Sequence, residues 1–362
     1  MTDAPRARRR RSRLLLSLLI VGGGLLLLEG AVRVRQQLAY GRAGSFYEFE
    51  LDPLGSGLRV PRPGVTRGRD HVIEVNSRGF RGPELELPKP AGRVRVAFLG
   101  GSTTFCAEAS SNEATWPALV TAGLARAFPA RSFDYVNAGA AAFTTTELKS
   151  NLCVRVAPTE PDIVVIYEAT NDLSRDTREL ALREGLPGTD RIGTSWLAQH
   201  SVAWELLEKN LRAVTPAADT GAPTLRYDAA ALAETYRAHL TALVQEARHR
   251  AQTVVLITFA HKQRREQPPE AQRAAATTSL LWMPYMSLQG VLDGFDAYDR
   301  VIREVGAAED VILVEGEDSI PGDDEHFADS VHFTDAGCRL QAERVLAALL
   351  ASPRLDWLRQ AP

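Results

Sequence analysis

Short apolar runs alternate with helical stretches five times from residue 93 onward, and this alternation constrains the fold more than any other feature of the chain. The apolar runs are bounded by turn residues and predict buried strands. The predicted strands are Val94–Leu99, Asp134–Val136, Ile163–Tyr167, Val254–Phe259 and Val311–Val314, and the predicted helices lie near 116–127, 145–156, 228–250, 291–305 and 335–351. Strands that alternate with helices build a parallel sheet covered on both faces. The sequence therefore predicts an α/β fold, a flavodoxin-like three-layer sandwich around a five-stranded parallel sheet.

Two long segments interrupt this alternation, at 173–227 after the third strand and at 260–290 after the fourth. A helix is predicted within the first of them, over Trp196–Val214. Long segments at the carboxyl ends of parallel strands commonly shape a binding site. The alternative interpretation is that both insertions only pack onto the domain.

The N-terminus combines a basic tail with an apolar run. Residues 1–13 contain six arginines, and Leu14–Leu28 is uncharged and continues, after one Glu, to Val32. As a helix, residues 14–32 span about 28 Å, at the short end of what crosses a bilayer. We expect a transmembrane signal-anchor over 14–32, with the basic tail in the cytoplasm and the rest of the chain on the extracytoplasmic side. A cleaved signal peptide and a buried core helix are the alternatives.

Residues 33–92 are rich in Gly, Pro and Arg and predict a linker followed by a small β appendage. The extended piece His71–Val75 and the turn at Asn76–Gly79 are its clearest features. The sequence does not indicate what this segment binds.

Charge and cysteine usage exclude several classes of function. The chain holds 42 Lys and Arg against 45 Asp and Glu, a formal charge of −3, and six of the basic residues lie in the tail. The acidic remainder lacks the electrostatic footprint of a nucleic-acid partner. Three cysteines, Cys106, Cys153 and Cys338, allow at most one disulfide and leave at least one free thiol. Because none of them stands in metal-ligand spacing, we expect no metal site and no cofactor.

Reactive groups of an open parallel sheet gather at the carboxyl ends of its strands. A serine follows the first strand in Gly100–Thr104, and asparagines lie at the ends of the second and third strands in Asn137–Gly139 and Ala169–Asp172. Asp329 and His332, three residues apart, stand just before the last helix. A serine becomes a nucleophile when a positioned imidazole takes its proton and a carboxylate orients that imidazole. The four blocks therefore predict nucleophilic catalysis at this edge of the sheet.

Together the four blocks resemble the SGNH, or GDSL-type, serine hydrolase family, and the resemblance covers about residues 93–350. Two positions depart from the family pattern. Gly101 stands where the family has Asp, and Ala169 stands where it has Gly. The resemblance implies a hydrolase domain over 93–352.

The resemblance also implies roles for five residues. Ser102 is expected to be the nucleophile, His332 the general base and Asp329 the residue that orients the imidazole. The oxyanion is expected to be bound by the backbone N–H groups of Ser102 and Gly139 and by the side-chain amide of Asn171. Loss of one such donor commonly costs about 3 kcal/mol in the activation barrier.

Other residues near these blocks have competing interpretations. Asp323 and His326 repeat the Asp-x-x-His spacing, and His332 is preferred as the base because Thr334 and Gly337 beside it match the family's last block. His261 is interpreted as a solvated loop histidine, and Glu168 is given no role. The glycine-rich turn before Ser102 would also suit a nucleotide or phosphate, but it lacks the Lys and the spacing of a phosphate-binding loop.

The resulting functional hypothesis is an extracytoplasmic serine esterase or acyl hydrolase that works through an acyl-enzyme and acts on a small-molecule ester or an acylated carbohydrate. An O-acyltransferase or deacetylase acting on envelope carbohydrate is one alternative, because the same acyl-enzyme then yields to a sugar hydroxyl. A non-catalytic membrane-anchored binding module is another, since a fold does not establish an activity. The oligomeric state is left open.

Overall fold

The computed structural model describes residues 4–40, 49–67, 71–187, 195–214 and 224–360. Within these residues the strands are β1 (Phe49–Leu51), β2 (Arg59–Pro61), β3 (Gly64–Arg67), β4 (Val72–Val75), β5 (Arg93–Gly100), β6 (Ser132–Asn137), β7 (Ile163–Tyr167), β8 (Thr253–Ile257) and β9 (Ile312–Val314). The helices are α1 (Ala4–Tyr40), α2 (Ser102–Phe105), α3 (Trp116–Ala127), α4 (Thr145–Asn151), α5 (Thr170–Arg183), α6 (Trp196–His200), α7 (Val202–Val214), α8 (Ala229–Arg250), α9 (Pro269–Ala275), α10 (Thr277–Trp282), α11 (Leu288–Ala308) and α12 (Asp335–Ala351). A π-helical turn covers Leu152–Val156, and 3₁₀ turns cover Ala157–Thr159, Glu317–Ser319 and Pro353–Arg359.

Strands β5 to β9 form one parallel sheet in the order β6-β5-β7-β8-β9. This is the flavodoxin order, in which the chain leaves β5 toward β6 on one side and returns to the other side at β7. The predicted α/β fold with a five-stranded parallel sheet is therefore confirmed. Each predicted strand lies within about two residues of its expected bounds.

The core forms because the central strands are apolar along their whole length. Every residue of β7 and β8 is buried, and β5 is buried from Val94 to Gly100. Such strands need cover on both faces. Helix α3 packs with α12, while α4 and α11 both pack with α8. Burial of these strands fixes the sheet edge from which the four sequence blocks emerge.

The predicted helices are present, with two changes. The stretch expected at 145–156 is α-helical only to Asn151 and continues as the π-helical turn. The helix expected over Trp196–Val214 is broken at Ser201, which ends α6 in an extended conformation. The hydroxyl of Ser201 accepts the N–H of Trp204 at 3.1 Å, as a side chain before a helix start commonly does.

The described residues divide into two compact units, which differ from the expected boundaries. One unit comprises Met1–Glu48, Thr66–Arg69 and Gly193–Thr215 and contains α1, α6 and α7. Part of the expected insertion at 173–227 thus belongs with the N-terminal helix. Within this unit the carboxylate of Glu29 accepts the N–H groups of Val202 and Ala203, each at 3.0 Å. The other unit comprises Phe49–Val65, Asp70–Ile192 and Pro216–Pro362 and contains the sheet.

Helix α1 covers the expected signal-anchor at 14–32. Among the described residues, no helix contains an apolar stretch that is long and uncharged enough to cross a bilayer. The side chains at 4–15 and 18 lie outside the described part of the chain.

The expected β appendage is joined to the sheet unit through a buried arginine. Arg155, at the end of the π-helical turn, lies 3.5 Å from the carboxylate of Asp52, and both side chains are almost fully buried. Its guanidinium also donates to the carbonyl of Arg78 at 2.5 Å and stacks over the ring of Phe80. A buried charge is tolerated when it is paired and hydrogen-bonded. One buried guanidinium therefore binds Asp52, Arg78 and Phe80 of the expected appendage to the sheet unit.

Candidate active site

The turn after β5 places Ser102 at the carboxyl edge of the sheet. Gly100 is paired with Tyr167 of β7, and a Cβ on Gly100 would lie 2.4 Å from the carbonyl oxygen of Tyr167 and 2.0 Å from the hydroxyl of Thr104. Only glycine fits so close an approach. The chain therefore turns sharply and begins α2 at Ser102, whose side chain stays half-buried rather than entering the core.

Side chains from distant segments bind the carbonyl groups of α2. A helix of four residues cannot satisfy its own carbonyl groups, because they have no partner in a following turn. The indole of Trp116, the amide of Asn137 and the guanidinium of Arg81 supply the donors. They reach the carbonyls of Thr103 at 3.1 Å, Thr104 at 2.9 Å and Phe105 at 3.0 Å, and Arg81 also donates to that of Cys106. Residues from three other parts of the chain thus fix the turn that carries Ser102.

Ser102, His332 and Asp329 form one hydrogen-bonded chain. The Oγ atom of Ser102 lies 2.7 Å from Nε2 of His332, and Nδ1 of His332 lies 2.7 Å from Oδ2 of Asp329. The other carboxylate oxygen of Asp329 accepts the backbone N–H groups of Val331 and His332, each at 2.9 Å. Within this Asp-x-x-His turn, the Asp329 carboxylate is thus bound by the imidazole and by two backbone N–H groups.

The electrostatics of the pair favour a proton-accepting imidazole. Burial by itself lowers the pKa of His332, but the hydrogen bond and charge of Asp329 outweigh it, so that the pKa lies above its ordinary value of 6.5. Burial likewise raises the pKa of Asp329, and His332 together with the two backbone N–H groups holds it below the ordinary value. The carboxylate is therefore ionised and stabilises a protonated His332.

The second Asp-x-x-His unit has the same local geometry. Nδ1 of His326 lies 2.7 Å from Oδ1 of Asp323, which also accepts the N–H of His326. Among the described histidines, however, it is His332 that is hydrogen-bonded to Ser102. Position relative to the serine, and not the local turn, separates the two pairs.

Asn171 lies directly against the turn at Gly101, which precedes Ser102. Its Nδ2 atom would be 2.4 Å from a Cβ on Gly101, and it donates to the carbonyl of Phe143 at 3.0 Å and to the carboxyl of Glu168 at 3.3 Å. Glu168, expected to have no role, is buried and also accepts the backbone N–H of Asn171 at 2.8 Å. Burial and then Asp172 raise the pKa of Glu168 well above its ordinary value. A single ionisable residue at the end of an apolar strand was the signal that could have identified it.

The expected role of Gly139 as an oxyanion donor stays a prediction. The N–H of Gly139 donates to the side-chain oxygen of Asn137 at 3.1 Å and is thereby used within its own loop. A Cβ on Gly139 would lie 2.3 Å from the backbone nitrogen of Phe105, so this glycine allows the loop to pack against the end of α2. The same loop turns in the left-handed region at the exposed Ala142, where φ is 62°.

His261 is not a solvated loop residue, and that interpretation was wrong. It is buried, and its ring stacks on Phe295 with the centroids 4.4 Å apart. Burial, and then the charge of Arg264, lower its pKa to about 3. The packing of a loop against α11 cannot be seen in the sequence around one histidine.

All three cysteines are free thiols, with Cys106 and Cys338 buried and Cys153 half-buried. Cys106 and Cys338 thus behave as small buried side chains. Within the described part of the chain, no three His, Cys, Asp or Glu side chains are grouped as metal ligands.

The insertion expected at 260–290 packs against the Asp329–His332 turn. The hydroxyl of Ser330 accepts the N–H groups of Thr278 and Ser279 at 2.9 and 3.1 Å, at the start of α10. The N–H of Lys262 donates to the carbonyl of Ser330 at 2.9 Å. This segment therefore supports the turn that carries the imidazole.

Comparison with known families decides the identity. The model of the GDSL-like Lipase/Acylhydrolase family matches residues 98–340, a range that contains Ser102, Asn171, Asp329 and His332. This chain belongs to that family. It is an ester-hydrolysing serine hydrolase of the GDSL type. No curated protein gives a significant match to it.

Several solved structures are similar to this chain. One is Axe2, which is an acetylxylan esterase from Geobacillus stearothermophilus, and another is LAE5, which is an alpha/beta hydrolase enzyme from the metagenome of Lake Arreo in Spain. A third is the lipase/acylhydrolase from Enterococcus faecalis. Each is 18% identical to this chain. They cover 71%, 70% and 71% of this chain and 94%, 94% and 95% of their own, with TM-scores of 0.43, 0.43 and 0.42.

We expect an NMR titration of the histidine rings to find the pKa of His332 above 6.5 and to find His261 neutral throughout the neutral range. In Asp329→Asn, the pKa of His332 should fall, because burial of the ring is then no longer opposed by a carboxylate. Spectra of His332→Ala and His261→Ala assign the two signals. A wild-type His332 that titrates at or below 6.5 contradicts the described pairing with Asp329.

Proposed function

We propose that Ser102, His332 and Asp329 are the catalytic triad of this esterase. The observation that carries the proposal is the continuous chain of two 2.7 Å hydrogen bonds from the serine hydroxyl to the Asp329 carboxylate. His332 takes the hydroxyl proton on Nε2 as Ser102 Oγ bonds to the ester carbonyl carbon. The same proton passes to the departing alcohol as the acyl-enzyme forms, and water then repeats the sequence to release the acid.

We propose that the backbone N–H groups of Ser102 and Gly139 and the side-chain amide of Asn171 bind the developing oxyanion. Nδ2 of Asn171 lies beside the nucleophile turn, and its bond to Glu168, at 3.3 Å, is the longer of its two hydrogen bonds. Hydrogen bonds of an unliganded site commonly rearrange when the substrate binds. A donor directed at the place where negative charge develops lowers the barrier by more than it lowers the energy of the bound ester.

We propose a small-molecule ester or an acylated carbohydrate as the substrate class. Ser102 is half-buried at the sheet edge. Helix α10, whose first turn contacts Ser330, carries the exposed apolar side chains Leu281 and Trp282 in its last turn. Exposed apolar side chains on an element that contacts the turn of Asp329 and His332 suit a substrate that buries part of itself against them.

We also propose that the catalytic domain lies on the extracytoplasmic side, held by a signal-anchor over 14–32. The support is the sequence: six arginines before Leu14 outweigh the three at positions 33, 35 and 42, and positive charge is retained on the cytoplasmic side.

Replacement of either member of the serine–histidine pair tests the chemistry. Ser102→Ala should abolish labelling by a fluorophosphonate, and Ser102→Ala and His332→Ala should each lower kcat on p-nitrophenyl acetate at least about 10³-fold, because triad members act as a unit. His326→Ala is the matched control, since His326 is paired with Asp323 in a second Asp-x-x-His turn. It should lower kcat by less than about tenfold. A loss of kcat in His326→Ala as large as in His332→Ala would contradict the assignment of His332 as the base. Full activity of Ser102→Ala would contradict the assignment of Ser102 as the nucleophile.

Protease accessibility tests the location. The full-length protein should stay in the membrane fraction after a high-salt wash, because a spanning helix does not depend on ion pairs that salt screens. Protease added to intact spheroplasts should then digest the domain that carries Ser102. Digestion only after lysis would contradict the proposed orientation, and recovery of the protein in the soluble fraction would contradict the retained anchor.

A further inference from the structure

Gly101 departs from the Gly-Asp-Ser pattern for a reason that is steric and not conformational. Its backbone has φ −81° and ψ −150°, an extended conformation that residues with side chains also adopt. Conformational freedom therefore does not explain the glycine. What excludes a side chain at this position must be the neighbouring atoms.

Two side-chain atoms occupy the space that a residue at 101 would need. A Cβ on Gly101 would lie 2.4 Å from Oε2 of Glu168 and 2.4 Å from Nδ2 of Asn171. Contacts this short are repulsive for any pair of heavy atoms. A carboxylate at 101 and the carboxyl of Glu168 thus compete for one place.

The carboxyl of Glu168 connects the nucleophile turn to Asn171. Glu168 directly follows β7 and is only 2% exposed. One of its oxygens accepts the backbone N–H of Asn171 at 2.8 Å, and the other accepts Nδ2 of the same residue at 3.3 Å. The backbone N–H of Gly101, which precedes Ser102, lies toward the same carboxyl and acts to lower its pKa. The three contacts join the segments after β5 and after β7 through one side chain.

We propose that Glu168 is a positioning residue, which supplies from the end of β7 the carboxyl group that a Gly-Asp-Ser turn carries at position 101 itself. Acting as an acceptor, it turns the Nδ2 end of the Asn171 amide, and not its oxygen, toward the Ser102 turn. An amide facing the other way presents an oxygen to the oxyanion and repels it. This role rests on the proposed function of Asn171 as an oxyanion donor.

Exchange of the carboxyl between the two positions tests the role. Glu168→Ala removes the acceptor, and Gly101→Asp sets a second carboxyl into occupied space. Each should lower kcat on p-nitrophenyl acetate about 10- to 100-fold, with KM changed by less than about threefold, because the Asn171 donor acts on the transition state. The double variant Gly101→Asp/Glu168→Ala returns one carboxyl to the shared place and leaves only the terminal Nδ2 of the Asn171 side chain to shift aside. It should recover at least about tenfold in kcat over either single variant.

Asp176 offers the matched control for loss of a buried carboxyl. It lies on the same helix as Asn171 but bonds the hydroxyl of Tyr298 at 2.7 Å and Arg175 at 3.3 Å. Asp176→Ala should lower the free energy of unfolding without a selective loss of kcat, and combining it with Gly101→Asp should give no recovery. Where Glu168→Ala does not fold, Glu168→Gln keeps the side-chain volume, and its amide group should still disturb the set of N–H donors and lower kcat.

The outcomes separate this role from the proposed function. Recovery confined to the Gly101→Asp/Glu168→Ala pair supports the positioning role. An active wild type whose Glu168 variants lose only stability, or whose double variant is no better than the single variants, overturns the role of Glu168 and leaves the esterase intact. An inactive wild type that a fluorophosphonate does not label overturns the proposed function, and the positioning role with it.

Discussion

The parallel pairing of β5 with β7 determines where the chemistry of this protein takes place. Gly100, the last residue of β5, is paired with Tyr167, the last residue of β7. The segments that follow therefore leave the sheet side by side, one with Ser102 and the other with Asn171. Because β5 and β7 are also the strands at which the chain changes direction across the sheet, a crevice opens at this point in folds of this order.

A short helix at such a position needs help, since its backbone has few partners of its own. Helix α2 receives it from Trp116, Asn137 and Arg81, whose donors bind its carbonyl groups. Removing one member of a buried polar set leaves its partners unsatisfied, at a cost of about 1–3 kcal/mol for each group. This polar network holds the turn that carries Ser102, and the Ser102 hydroxyl is hydrogen-bonded to the imidazole of His332.

Features that depend on local sequence could be predicted, and features that depend on contacts between segments could not. The five strands followed from apolar runs. The Asp-x-x-His spacing indicated two candidate pairs, and the family resemblance favoured Asp329 and His332. The hydrogen bond from the N–H of Gly139 to the side chain of Asn137 could not be predicted, because only the folded loop brings the two groups into position. His261 was misplaced because Phe295, 34 positions further along the chain, covers it. The role of Glu168 was missed because its carboxyl packs against Gly101, which precedes it by 67 positions.

Because β5 and β7 end side by side, we expect the Ser102 backbone N–H and the Asn171 amide to bind the same oxygen atom, the oxyanion of the reacting ester. A crystal structure of the protein inactivated by a p-nitrophenyl phosphonate tests it most directly, since the phosphonyl oxygen stands in for the oxyanion. We expect a phosphorus atom bonded to Ser102 Oγ. The phosphonyl oxygen should lie about 2.7–3.1 Å from the Ser102 backbone nitrogen and from Asn171 Nδ2. A phosphonyl group attached to another residue, or an oxygen that points away from Asn171, would contradict it.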